Sequence, residues 1–122
     1  MTLPSSVQVH IAVDPVDMRK GFDGLAAVVR ERVRQEPESG HLFVFRSRTG
    51  RLIKILFWDR TGWVVLAKRL VRGTFRLPVE VPEGAQAVQV EPAQLALMLE
   101  GIDLRGATHR KRWTPVAPGL RV

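Results

Sequence analysis

Two short turn signals, S-R-T-G at 47–50 and D-R-T-G at 59–62, cut the middle of the chain into three apolar runs, 42–46, 52–58 and 63–70. Four-residue linkers ending in glycine are typical of β-hairpin turns, so an antiparallel meander is the natural reading. Along the middle run Ile53, Ile55 and Phe57 share one face while Leu52, Lys54, Leu56 and Trp58 share the other. Neither face is wholly polar, and both are expected to be partly covered.

Upstream, residues 7–13 alternate, with Val7, Val9, Ile11 and Val13 on one side and Gln8, His10 and Ala12 on the other, the pattern of a half-buried strand. Pro15 stops it, and Asp17 is placed to cap a helix whose apolar positions Met18, Phe22, Leu25, Val29 and Val33 draw one stripe along about four turns. Gly21 and Gly24 each cost such a helix roughly 1 kcal/mol relative to alanine, which suggests close packing against another backbone. E-P-E-S-G at 36–40 ends the helix.

Downstream, Arg72-Gly73-Thr74 turns the chain into a short or edge segment, 75–77, closed by Pro78. Residues 87–90 form another short strand. Pro92 opens a second helix bearing Leu95, Met98, Leu99 and Ile102, with Gly101 as its C-cap. With 122 residues there is room for one domain. The expected architecture is a single α+β domain over residues 1–104: a mainly antiparallel sheet of about five strands in the order β-α-β-β-β-β-α, its long helix packed on one face. Residues 105–122 have no periodicity and read as a basic, mobile tail.

Charge is uneven along this layout. The total of +7 conceals net −1 over residues 1–42, +8 over 43–76, −5 over 77–103 and +5 over 104–122. Fifteen of the nineteen bases are arginine, whose planar fork suits bidentate phosphate contacts. A nucleic-acid-facing surface competes with a solvated, arginine-rich sheet face. The absence of cysteine and tyrosine excludes thiolate metal sites, cysteine nucleophiles and tyrosine-based DNA cleavage, and fits a reducing cytoplasm. No apolar run approaches the ~18 residues of a membrane span, and the N-terminus lacks the basic segment of a signal peptide.

Three blocks carry a recognisable pattern: P-V-D-M-R-K-G-F-D-G-L-A-A-V-V at 15–29, the stretch 40–78 containing K-I-L-F-W-D and A-K-R-L-V-R-G-T-F, and Q-L-A-L-M-L-E-G-I-D-L at 94–104. In these the chain resembles the TnpB accessory proteins of the insertion sequence 66 family, encoded beside the transposase of bacterial mobile elements. Phe57, Leu77 and Leu104 stand where tryptophan is common in that family, each keeping an apolar residue. The resemblance implies a role in transposition and no catalytic residue set.

The residues themselves offer no established site for chemistry. Asp14, Asp17, Asp23, Asp59 and Asp103 could in principle hold two metal ions as in a transposase, yet Asp17 reads as a helix cap, Asp59 as a turn residue and Asp23 as a partner for Arg19 or Lys20. His10, His41 and His109 have no metal-ligand spacing and read as surface or packing residues. No catalytic residue, metal or cofactor is implied. Two basic constellations stand out. Arg19 and Lys20 in the first turn of the predicted helix oppose its macrodipole, so either a bound phosphate or the local acids Asp17 and Asp23 must compensate. Arg46, Arg48, Arg51, Lys54, Lys68, Arg69 and Arg72 gather around the meander. Hairpin pairing sets residue 54 opposite approximately residue 67, so Lys54 and Lys68 are expected to be neighbours needing an anion, with Trp58 or Trp63 as a flat companion.

The expectation is a non-catalytic, cytoplasmic accessory protein of transposition that contacts DNA, such as transposon ends, through these cations, aided by Arg110, Lys111 and Arg112. Alternatively, the acidic 77–103 segment docks on the element's transposase without DNA contact. A metal-dependent nuclease ranks last. Oligomeric state is left open.

Overall fold

The computed structural model describes residues 6–101. It contains one five-stranded sheet in the spatial order β4-β3-β2-β1-β5: β1 is Val9–Ala12, β2 Leu42–Arg46, β3 Leu52–Trp58, β4 Trp63–Arg69 and β5 Ala87–Val90. Helix α1, Phe22–Val28, follows β1 and runs on into a π-helical turn, Val29–Val33; helix α2, Pro92–Glu100, follows β5. The chain order β-α-β-β-β-β-α is as the patterning predicts. All pairings are antiparallel except β1 with β2, which run parallel because a helical crossover separates them.

Both faces of the sheet are covered. Val9, Ile11, Val44, Ile53 and Ile55 point to one face, where α2 seals them with Leu95 and Met98, and Phe75 joins them from the loop after β4. Ala12, Phe43, Phe45 and Leu56 point to the other, beneath Leu25, Ala26 and Val28 of α1 and Val29 and Val33 of the π-helical turn. Each fully buried Leu, Ile, Val or Phe contributes roughly 1.5–3 kcal/mol, so the two layers together fix the sheet between them. Strand β1 lies inside the sheet and is buried along its whole length, against the half-buried strand expected. His10 therefore packs in the interior, stacked on Phe43 with ring centroids 5.6 Å apart, and burial and neighbouring His41 lower its pKa.

Several local expectations are corrected. Helix α1 begins at Phe22 with Gly21 as N-cap, so Asp17 does not cap it; four residues of irregular chain, 18–21, intervene. Phe22 stays about half exposed while Ala26 and Val28 are buried, so the stripe drawn from Met18 is rotated. Nor do Gly21 and Gly24 meet another backbone: a Cβ at Gly21 would find open space, and one at Gly24 would meet Lys20 of the preceding turn. Residues 75–77 form no strand, although Phe75 is core. The second helix matches expectation, with Pro92 in its first turn, the Glu91 N–H donating to Gln94 Oε1 at 2.7 Å, and Gly101 at φ +76° ending it. The proposed boundary at residue 104, the tail 105–122, Ile102, Asp103 and His109 lie outside the described residues, as do Arg110, Lys111 and Arg112. No helix among the described residues is long and apolar enough to cross a membrane.

Candidate nucleic-acid interface

Strand register sorts the cations by end. Because β1 and β2 are parallel while β3 runs back, the exit of β1, the exit of β2, the 47–51 turn and the exit of β4 all meet at one end of the sheet. Backbone bonds tie these segments together: the Val16 N–H donates to Arg46 O at 2.9 Å, Leu70 to Arg51 O at 2.8 Å and Phe75 to Gly50 O at 2.7 Å. Arg19, Lys20, Arg46, Arg48, Arg51, Arg69 and Arg72 are thereby collected at this end, together with Asp14, Asp17 and, on the loop that enters β5 beside the exit of β1, Glu80 and Glu83. The opposite end carries Glu36, Glu38, Asp59 and Glu91 beside Arg34 and Arg60.

These cations are in different states. Lys54 lies on the α1 face, half-buried, its Nζ donating to Met18 O at 2.7 Å and Lys20 O at 3.3 Å. It straps the irregular 14–20 segment to the sheet from beneath. Lys68 lies on the other face, its Nζ donating to Leu99 O at 2.7 Å near the end of α2. The predicted Lys54–Lys68 proximity is wrong for a simple reason: Lys54 pairs with Ala67 and Lys68 with Ile53, and a one-residue offset in a strand puts side chains on opposite faces. Each lysine instead neutralises backbone carbonyls. Trp58 and Trp63 pair with each other, rings 5.0 Å apart and edge to face, at the far end of the hairpin from Arg48 and Arg51.

Arg46 is likewise turned inward. Its Nη2 donates to Val13 O at 2.8 Å, its buried Nε has no partner, and burial lowers its pKa while Asp14 opposes the shift. Arg19 is almost fully exposed and paired with Asp17 at 2.8 Å, rather than with Asp23. The Arg19 side-chain and backbone donors hold the Asp17 carboxyl far below the usual carboxylate range. The sequence alternatives at this segment resolve in part: a local acid does compensate Arg19, and the macrodipole argument lapses because Arg19 and Lys20 precede the helix. Arg48, Arg51, Arg69 and Arg72 are exposed with no ion pair among the described residues.

Residues that sequence reasoning did not single out complete this end. Between the 15–19 segment and the 47–49 turn lies an open hollow of about 430 Å³, to which Met18, Ser47 and Thr49 contribute. The signal was available in the β-α-β order, since a crossover helix makes the flanking strands parallel and brings their exits together. Of the acids weighed for a metal centre, Asp17 is taken up by Arg19 and Asp59 by its own turn at the opposite end. Among the described residues no three His, Asp or Glu side chains cluster as metal ligands.

The comparisons with known proteins agree on one kinship. A family model described as IS66 Orf2-like protein matches residues 7–109, a span containing every described strand and both helices. The chain is 43% identical over 119 residues to an uncharacterised protein, y4hO, of Sinorhizobium fredii (strain NBRC 101917 / NGR234), covering 96% of this chain and 99% of that relative. A second uncharacterised protein of the same strain, y4jC, is 32% identical over 113 residues, covering 91% of this chain and 94% of its own length. No solved structure gives a significant match.

Proposed function

The chain belongs to the IS66 Orf2-like family of transposition-associated accessory proteins, and from that premise we propose that it contacts DNA through the basic end of its sheet. The observation that carries the reading is the convergence of Arg48, Arg51, Arg69 and Arg72, exposed and without ion pairs among the described residues, from two separate segments, the 47–51 turn and the exit of β4. Arginines so gathered without ion pairs raise the local positive potential and present planar forks suited to phosphate contacts. Arg19 and Lys20 border the same end. Arg46, Lys54 and Lys68 act as struts that hold it, their charge adding to the field while their donors serve backbone carbonyls. Arg110, Lys111 and Arg112 are further basic positions for DNA contact. No catalytic step is assigned, and the protein acts by binding.

Fluorescence anisotropy on a duplex carrying the element's terminal sequence tests this. Affinity is expected to fall with salt at a slope of about −0.9 in log K against log salt for each neutralised phosphate. Arg48→Ala with Arg51→Ala is expected to flatten that slope by about 1.8. Absence of binding at ~50 mM salt, a condition that strongly favours phosphate contacts, removes the reading.

A second reading, docking on the transposase, draws on a different observation. Beside α2 an apolar hollow of about 200 Å³ opens between Leu95, Leu99, Phe57 and Leu66, and Leu66 is about half exposed there. Co-purification with the transposase that survives Arg48→Ala/Arg51→Ala but not Leu66→Asp would favour it over DNA contact.

A further inference from the structure

The hollow at the basic end has two unlike walls. Pro15, Val16 and Met18 form an apolar one, and Ser47, Arg48 and Thr49 form a polar one across from it. Its volume of about 430 Å³ falls within the ~300–1,000 Å³ of small-ligand sites, so a single phosphate group would leave most of it unfilled. Asp17 and Arg19 also border the hollow but satisfy each other. Arg19 donates to the Asp17 carboxylate from its backbone N–H, from Nε to both oxygens, and from Nη2, at 2.8–3.2 Å. A carboxylate has about four acceptor sites, so this one is saturated and its charge is met in place.

Arg48 is left as the uncompensated cation of the hollow, its sequence neighbours Ser47 and Thr49 holding their hydroxyls 3.4 Å from each other. One wall thus offers a guanidinium and, since one of the two hydroxyls donates to the other, one free O–H to a phosphate, and the other wall offers apolar surface to something flat. Intact duplex presents phosphates outward but keeps its base faces in the stack. Only a nucleotide out of the stack presents both together.

We propose that this hollow takes one unpaired nucleotide of bound DNA, its base against Met18 and Pro15 and its phosphate on Arg48, Ser47 and Thr49. The inference rests on the DNA-contact reading and adds a preference to it: DNA with an unpaired nucleotide binds more tightly than fully paired DNA of the same length and charge. Burying one base face, on the order of 50 Å², against these apolar side chains is expected to favour the unpaired form roughly tenfold.

The test uses the full chain and two labelled probes, a blunt duplex and a duplex of equal phosphate number that ends in a short single-stranded overhang. Anisotropy is expected to give a roughly tenfold tighter complex with the overhang. Thr49→Leu, which fills the hollow without altering charge, is expected to bring the ratio towards one. Thr49 is exposed and its side-chain bonds are no shorter than 3.4 Å, so the variant is expected to fold. Arg48→Gln supplies a second variant and is expected to weaken overhang binding more than blunt binding. Equal affinity for the two probes, or a ratio unchanged in both variants, overturns the nucleotide hollow and leaves duplex contact standing. Failure to bind either probe overturns the DNA reading and this inference with it.

Discussion

The two hairpin turns differ in sequence only at their first residue, yet they are held differently. S-R-T-G at 47–50 is closed by Ser47, whose Oγ accepts the Leu52 N–H at 3.1 Å and whose carbonyl accepts the Gly50 N–H at 3.0 Å, and is gripped from outside as well. Its left-handed residue is Gly50 at φ +76°, a Cβ there would sit 3.2 Å from Thr74 Cβ, and Gly50 O accepts the Phe75 N–H. D-R-T-G at 59–62 holds itself. Asp59 Oδ1 accepts from the Thr61 N–H, the Thr61 hydroxyl and the Gly62 N–H, each at 3.0 Å, and the left-handed residue is Arg60 at φ +85°. Gly62 faces open space. The turn with the carboxylate bends at Arg60 and has an acid beside its arginine, while the turn with serine bends at Gly50 and has none. The turn without the acid is the one at the basic end.

The largest expected difference between the turns is in their glycines. Gly50→Ala forces a Cβ into the left-handed region and against Thr74, at a cost of about 2 kcal/mol. Gly62→Ala is expected to change stability by no more than about 0.5 kcal/mol, as surface changes without such features do. Urea denaturation of the two variants checks this, and comparable losses would mean that the outside grip on the first turn contributes little. Next in size is a swap of character. Ser47→Asp makes the first turn a copy of the second in sequence and places a carboxylate beside Arg48. DNA binding is then expected to lose about 0.9 from its salt slope, one phosphate's worth. An unchanged slope would show that Arg48 touches no phosphate.

The same pair of turns shows how far the sequence could be read. Their existence, the meander they create and the pairing of Lys54 with Ala67 were all legible, because hairpin length fixes register. Which face each lysine takes was equally implicit in that register, since Ala67 and its neighbour Lys68 must point apart. Charge proximity was the wrong quantity to read. The start of α1 was not legible: Asp17 followed by an apolar stripe satisfies every capping rule, but its carboxylate bonds Arg19 two residues on, and Lys54 holds the intervening carbonyls. Such competition between a local side-chain bond and a helix cap is settled by tertiary contact. The basic end was half legible. Its arginines could be named, but their convergence depends on the parallel β1–β2 pair, and the inward turn of Arg46 on the Val13 carbonyl, 33 residues away, leaves no local trace.

The smallest expected effect isolates the carboxylate that separates the two turns. Three donors on Asp59, foremost the Thr61 N–H and hydroxyl, lower its pKa below the ordinary aspartate value in the folded chain. A group more acidic when folded than when unfolded contributes stability that is fully present above its unfolded pKa, near pH 4, and is lost as pH falls through the folded value. Wild-type stability should therefore decline below about pH 4, and part of that decline should vanish in Asp59→Asn, whose amide does not titrate. Asp17 contributes to the same acid limb in both proteins, so the difference between the two curves reports Asp59 alone. Melting temperatures between pH 2 and pH 7 measure it. Parallel curves would mean that the turn's three bonds are no stronger with the ionised carboxylate than without it, and the left-handed Arg60 would then need another support.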